Sequence, residues 1–273
     1  MNTAEYVDYL RGKGYADRTT EEYRRWLRRL TMWCTERGLD PATLEPHLLR
    51  DWADRLPFSW STRKQARAAV RHYYQAIGRG PEAPWEAIRT PRKPNPRPDP
   101  HERSEAILLR DAALMHGGRK GLAVLGLLYT GARPSEVAVW RWEHVDLRRG
   151  RIGWHRPKVS DLHELPIPPQ FATALEDARP WPAVGPIFGG NNARMYVNAA
   201  TIWTWTKQIA GMVGLETSPK RLRATVGSLI LDATGDLDAA AEILGHSSTD
   251  TTRAYYVGER RGRVDRAVGS LPY

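Results

Sequence analysis

The sequence predicts a mainly α protein in two parts: a helical bundle, then an α+β domain that is mostly helical and carries a small antiparallel sheet. Three observations predict it. Apolar residues recur every three to four positions through the N-terminal third, the period of amphipathic helices. A proline-rich interval follows. Beyond it the helical period returns, broken once by short apolar runs set between turn residues, the mark of antiparallel strands.

Residues 3–13 form the first predicted helix, with Tyr6, Val7 and Leu10 on one side and Gly14 ending it. Thr19 and Glu22 have the spacing of a capping box, so the second helix is expected to start there. It places Tyr23, Trp26, Leu27, Leu30, Trp33 and Cys34 inward, and Arg24, Arg25, Arg28 and Arg29 on the other face. A third helix is expected over about 45–56, with Leu48, Leu49, Trp52 and Leu56 inward, and a fourth over 61–78, with Val70, Tyr73, Tyr74 and Ile77 inward. On the fourth, Arg63, Arg67 and Arg71 recur every four residues, with Lys64 beside them. A charged helix face is ordinarily just solvated. The near absence of acids from both stripes favours contact with a polyanion instead.

Residues 90–103 hold five prolines in fourteen positions, and Lys93 among several cations. Each proline fixes its own φ and pushes its predecessor to extended geometry, so this interval reads as a stiff basic linker. The expected organisation is a helical domain over 1–89, the linker over 90–103, and a second domain over 104–273. In that domain, helices are expected after Ser104, through the apolar run ending at Gly131, from Pro134 through Trp142, after Pro169, and over about 199–213. Three short strands fall around Val145, over 151–155 and over 162–167, with polar turns between them.

The formal charge of +10, from 41 Lys plus Arg against 31 Asp plus Glu, favours a polyanionic partner, commonly nucleic acid. Only seven of the 41 cations are lysines, so a lysine at a motif position carries more information than an arginine. Cys34 is the only cysteine, which excludes an intrachain disulfide and a cysteine-based metal site, and fits a reducing cytoplasm. No apolar run approaches a membrane span, and the N-terminus lacks the pattern of a signal peptide.

The informative stretch is 220–256. Lys220 and Arg223 share a helix face, Gly245-His246 frees an imidazole at an expected helix end, and Tyr255 follows nine residues later. Cations, an imidazole and a phenol without a carboxylate cluster suit attack on a phosphodiester. The eight histidines never pair at i, i+3 or i+4, and no dense acidic cluster stands where metals would bind, so no metal and no cofactor is expected. Charge on the phosphate oxygens must then come from side chains, for which arginine's planar fork is best suited. Arg223 offers one. Arg133, between Gly131 and Pro134, offers another, beside an expected helix N-terminus that itself favours anions.

This stretch resembles the catalytic domain of the tyrosine recombinase (phage integrase) family. Lys220, Leu222, Arg223 and Ala224 fall on its H-x-L-R-H pattern, Leu244-Gly245-His246 on L-G-H, and Thr251, Thr252 and Tyr255 on T-T-x-x-Y. Thr130, Gly131, Arg133 and Glu136 match its T-G-x-R-x-x-E box. The chain departs from the family at Lys220 and Ala224, where histidines are usual. The resemblance implies that Arg133 and Arg223 hold the non-bridging oxygens and that Lys158 protonates the departing 5′ oxygen. It implies that Lys220 and His246 hydrogen-bond the phosphoryl group, Glu136 orients its neighbours, and Tyr255 attacks to give a 3′-phosphotyrosine. Tyr256 adjoins it, but the spacing from His246 favours Tyr255.

It implies further that the N-terminal bundle is the SAM-like, core-DNA-binding domain, with Arg24, Arg25, Arg28, Arg29, Arg63, Lys64, Arg67, Arg71 and Lys93 as its DNA contacts. The linker would let both domains close around double-stranded DNA. Two protomers would bind inverted half-sites and four would form a synapse, in the cytoplasm of a bacterial host. The simple form, without an arm-site-binding module, suits phage or mobile-element integration, with chromosome dimer resolution as the alternative. A type IB topoisomerase and a DNA-binding module with vestigial catalytic residues are the rivals.

Overall fold

A computed structural model describes residues 2–80, 83–94, 99–156, 159–189 and 196–245. The chain divides into two compact units, Met1–Asn95 and Pro96–Tyr273, each with its own apolar core.

The first unit holds helices α1 (Thr3–Gly12), α2 (Asp17–Thr35), α3 (Pro46–Asp54) and α4 (Trp60–Ala76), then a 3-10 turn at Pro84–Ala87. Asn2 caps α1 by accepting from the Ala4 and Glu5 amides, and the Glu5 carboxylate accepts from the Asn2 amide in return. The capping box expected at Thr19 and Glu22 does not form. Helix α2 starts three residues earlier, after Ala16, which makes no side-chain cap. Thr20 lies inside the helix, buried, with its hydroxyl turned back to the Tyr15 carbonyl. The start moves forward because Tyr15 packs edge-on against Tyr23 and His72, drawing the preceding turn onto the core. The core is rich in aromatics, and the deepest keep their polar ends satisfied. Tyr6 donates to the Ala69 carbonyl at 2.8 Å and Tyr74 to the Pro41 carbonyl at 3.1 Å.

The second unit begins before its first helix. The Asp99 carbonyl accepts from Arg221 Nε at 3.0 Å, and the His101 amide donates to the Thr225 hydroxyl at 2.8 Å. These residues fall inside the interval expected to be linker, yet they are tied to this unit. The imidazole of His101 is fully enclosed. A carboxylate only accepts, so the Nδ1 that faces Glu105 at 3.2 Å carries the proton, and Nε2 accepts from the Thr217 hydroxyl at 2.6 Å.

Helices α5 (Arg103–His116) and α6 (Gly118–Thr130) follow, then a single turn α7 (Pro134–Val137). The helix expected to run through Trp142 stops after Val137, because Trp140 drops into the core against Trp154, Phe171 and Phe188. Gly126 in α6 makes room for it: a Cβ there would lie 2.7 Å from the Trp140 ring. The strands β1 (Val145–Asp146), β2 (Arg151–Arg156) and β3 (Val159–Pro166) form the antiparallel sheet in the order β1-β2-β3. Ile152 pairs with Leu165 and Trp154 with His163, and the register slips between His155 and Arg156. Helices α8 (Pro169–Asp177), α9 (Ala199–Met212), α10 (Pro219–Thr234) and α11 (Leu237–Leu244) complete the unit. The core lies around α6, whose residues from Gly121 to Leu127 are all buried. No helix among the described residues is long and apolar enough to cross a membrane.

Burial pushes the His101 imidazole below its ordinary value of 6.5. A base whose folded pKa is depressed contributes stability that is intact above about pH 6.5 and is lost as pH falls below it. His101→Gln is expected to flatten the fall in urea midpoint between pH 7 and 5, measured by intrinsic fluorescence.

Candidate active site

The site is built where two helices end. Helix α6 terminates at Gly131, whose left-handed φ of +60° suits a residue without Cβ. A Cβ at that position would also meet Leu244 Cδ2 at 2.5 Å, so the end of α6 and the end of α11 abut. Arg223, on α10, joins them: Nη1 donates to the Gly131 carbonyl at 2.5 Å and Nη2 to the Leu244 carbonyl. Carbonyls left over at a helix C-terminus are good acceptors for a cation.

Arg133 follows two residues after Gly131 and caps α7. The buried Glu136 holds it twice, accepting from its backbone amide at 2.7 Å and from Nη1 at 2.8 Å. The side chain of Arg133 is 47 % exposed while that of Glu136 is 3 % exposed, so one edge of the guanidinium is anchored and the rest faces outward. The expectation that a helix N-terminus adds anion affinity here is corrected: α7 is four residues long, and the Glu136 carboxylate already takes the Arg133 amide.

Lys220 is exposed in the first turn of α10, one turn before Arg223. That turn has no acidic residue, and a cation there opposes the helix dipole, so Lys220 does nothing evident for the helix. The structure thus brings Arg133, Glu136 and Arg223 together and sets Lys220 on the same helix as Arg223. Lys158, His246 and Tyr255, with neighbouring Tyr256, lie outside the described residues.

Two residues at this corner were not singled out from the sequence. His163 of β3 meets the Ile243 carbonyl with Nε2 at 3.3 Å, and Arg156 of β2 packs onto Gly245. Burial depresses both His163 and Arg156, and in His163 the charge of Arg156 adds to it. Three strands or helices therefore send a side chain to the last turn of α11. Among the described residues no three His, Cys, Asp or Glu side chains gather as a metal site.

In the first unit the cationic faces are less uniform than the sequence implies. Arg24 is bidentate to Glu21 at 2.9 and 2.8 Å, and Arg25 reaches Glu21 at 3.5 Å and Glu22 at 3.8 Å. Acids therefore do accompany the first stripe. Arg63 is not a surface residue at all. It is 3 % exposed, donates to Asp54 at 3.1 Å and to the Leu56 carbonyl at 3.4 Å, and lies over the Phe58 ring. It joins α4 to the end of α3, and is withdrawn from the expected DNA contacts. Five others rest on aromatic faces, with Arg67 and Arg71 over Trp85, Lys64 and Lys93 over Trp60, and Arg29 over Trp26, and Arg67 also lies 3.9 Å from the Glu86 carboxylate. Arg28 and Arg71 are exposed.

Residues 104–260 match the model of the phage integrase family, and residues 3–79 match that of the phage integrase N-terminal SAM-like domain. The tyrosine recombinase XerC of Pseudomonas aeruginosa strain LESB58 is 29 % identical over 266 residues, which cover 92 % of this chain and 88 % of the relative. XerC of Xanthomonas campestris pv. campestris strain B100 is 30 % identical over 257 residues, covering 87 % and 77 %. Among solved structures, the fold is similar to the Tn1549 transposon integrase in complex with transposon right end DNA (TM-score 0.70, 16 % identity, 97 % and 99 % of the two chains). It is also similar to XerA recombinase (TM-score 0.56, 22 % identity, 99 % of both). The chain belongs to the phage integrase family and is a tyrosine-type site-specific recombinase.

Removing the Arg63 side chain leaves a buried carbonyl without its donor, which costs about 1–3 kcal/mol. Arg63→Ala is expected to lower the unfolding free energy by that amount, while Arg28→Ala leaves it within about 0.5 kcal/mol; urea titration of both variants checks this.

Proposed function

We propose that the chain cleaves one DNA strand by attack of the Tyr255 phenol on a backbone phosphate, and then rejoins it to a partner strand. The phosphorus–5′ oxygen bond breaks as the phosphorus–tyrosyl bond forms. The phenol gives its proton to water, and Lys158 gives one to the departing 5′ oxygen. Arg133 and Arg223 neutralise the two non-bridging oxygens, Glu136 holds Arg133 in place, and Lys220 and His246 hydrogen-bond the phosphoryl group. One ester is exchanged for another, so a 5′ hydroxyl from a partner duplex reverses the step without ATP or any other cofactor. The observation that carries this reading is the meeting of Arg133, Glu136 and Arg223 at the abutting ends of α6 and α11.

In the same reading, residues 1–89 form the core-DNA-binding domain, 90–103 the linker, whose Asp99 and His101 are already bound to the second unit, and 104–273 the catalytic domain. Arg24, Arg25, Arg28, Arg29, Lys64, Arg67, Arg71 and Lys93 contact phosphates. The aromatic rings beneath five of these hold them extended before DNA arrives. Two protomers occupy inverted half-sites and four form the synapse, in the cytoplasm of a bacterium. A lambda integrase dimer bound to a core site, similar in fold at a TM-score of 0.67 and 17 % identity, supports the dimeric arrangement. Integration of a phage or mobile element is the preferred role. Chromosome dimer resolution is the second, favoured by likeness to XerC proteins across 92 % of this chain.

Selection from random duplexes yields the preferred DNA, and its place in the host genome separates the two roles: beside the gene for integration, elsewhere as a single site for resolution. On a nicked suicide duplex of that sequence, a covalent protein–DNA adduct is expected. Tyr255→Phe should abolish it and Tyr256→Phe should not; the reverse assigns the nucleophile to Tyr256. Arg133→Ala and Arg223→Lys should slow adduct formation ~10²–10³-fold, the cost of removing one donor to a developing charge, with DNA affinity little changed. Loss of affinity instead would make them docking residues. Affinity itself should fall with salt by about 0.9 in log K per log salt for each phosphate contacted.

A further inference from the structure

Arg156 closes β2, and its guanidinium lies flat on the Cα of Gly245. A Cβ built on Gly245 would overlap Cζ, Nη1 and Nη2 together, which requires the plane of the group to face that carbon. Gly245 is the C-cap of α11 and has a φ of +62°. The left-handed backbone disfavours a side chain there, and the stacked guanidinium would have to move aside for one. The Nη2 of Arg156 is buried and has no hydrogen-bond partner among the described residues. A buried guanidinium that leaves a donor unused is costly. What the placement gains is a planar cation against the C-terminal turn of α11, beside the Ile243 and Leu244 carbonyls that His163 and Arg223 occupy. The charges that bear on it are Glu136, which favours it, and Arg133, which opposes it.

We propose that Arg156 is a positioning residue for strand cleavage: stacked on Gly245, it holds the last turn of α11, and so the Leu244 carbonyl by which that turn aims the Arg223 guanidinium. This rests on the role proposed above for Arg223. The alternatives are a direct phosphate contact and plain packing, and they differ in what they move.

The test uses the full chain and four variants, Arg156→Ala, Arg156→Lys, Gly245→Ala and the Arg156→Ala/Gly245→Ala pair, on the selected suicide duplex. DNA affinity, single-turnover adduct rate and amide hydrogen exchange at Gly245 are read for each. Expected for Arg156→Ala is a rate ~10²-fold lower, the effect of a misplacement of about 1 Å, with affinity within about twofold and faster exchange at Gly245 but not at Gly131. Arg156→Lys keeps the charge without the plane and should not restore the rate. The double variant should be no slower than the slower single, because both disturb one contact. Parallel loss of affinity and rate, restored by lysine, would overturn the proposal in favour of a phosphate contact. An unchanged rate, or unchanged exchange at Gly245, would overturn it in favour of packing. If the unaltered chain forms no adduct, the cleavage reading falls and this role with it, while exchange at Gly245 still reports whether the guanidinium holds the turn.

Discussion

Arg223 is the contact that ties two helix ends of the second unit together. Its two forks take the last carbonyls of two different helices, Gly131 of α6 and Leu244 of α11. One side chain therefore satisfies two acceptors that a helix end leaves over and fixes the distance between those ends. The approach is close enough that Gly131 tolerates no Cβ against Leu244. The same guanidinium is the group that the proposed reaction asks to meet a phosphate. Structure and chemistry draw on one residue, so its replacement must be read by affinity and stability as well as by rate.

The catalytic corner is assembled from short local devices held on a rigid core. Glu136 binds both the amide and the guanidinium of Arg133 over a separation of three residues. That pair would form in almost any context. It is oriented by its surroundings, because Trp140 enters the core just beyond it and stacks near Trp154, Phe171 and Phe188. The bundle's cations follow another logic. Arg29, Lys64, Arg71 and Lys93 lie on indole faces, which limits their rotamers without neutralising their charge.

Much of this was legible from residue order, for reasons that differ by element. The sheet could be placed because its strands are bounded by turn residues, and the Arg133–Glu136 pair because both partners lie in one motif. Arg223 stood out as a cation on an apolar helix. Arg63 misled because a helical period tells which residues share a face and not what covers that face; here the covering partner is Asp54, nine residues back across a turn. The start of α2 misled because packing of Tyr15 on Tyr23 and His72 outweighed a well-spaced cap. Arg156 and His163 gave no signal. Three consecutive strand residues, Ile152, Gly153 and Trp154, are buried without alternation, and the register slips just before Arg156. What they touch lies some eighty to ninety residues further along.

Helix α10 carries two sets of attachments on one rod. Lys220 and Arg223 are two of the groups proposed to meet the phosphate, while Arg221 and Thr225 grip the backbone at Asp99 and His101. These grips lie two residues to either side of Arg223 on the same helix. A tug on the chain at Asp99–His101 must either break those hydrogen bonds or be felt as torque on the helix that aims the Arg223 guanidinium. That segment is in this sense a lever with its fulcrum at the proposed site.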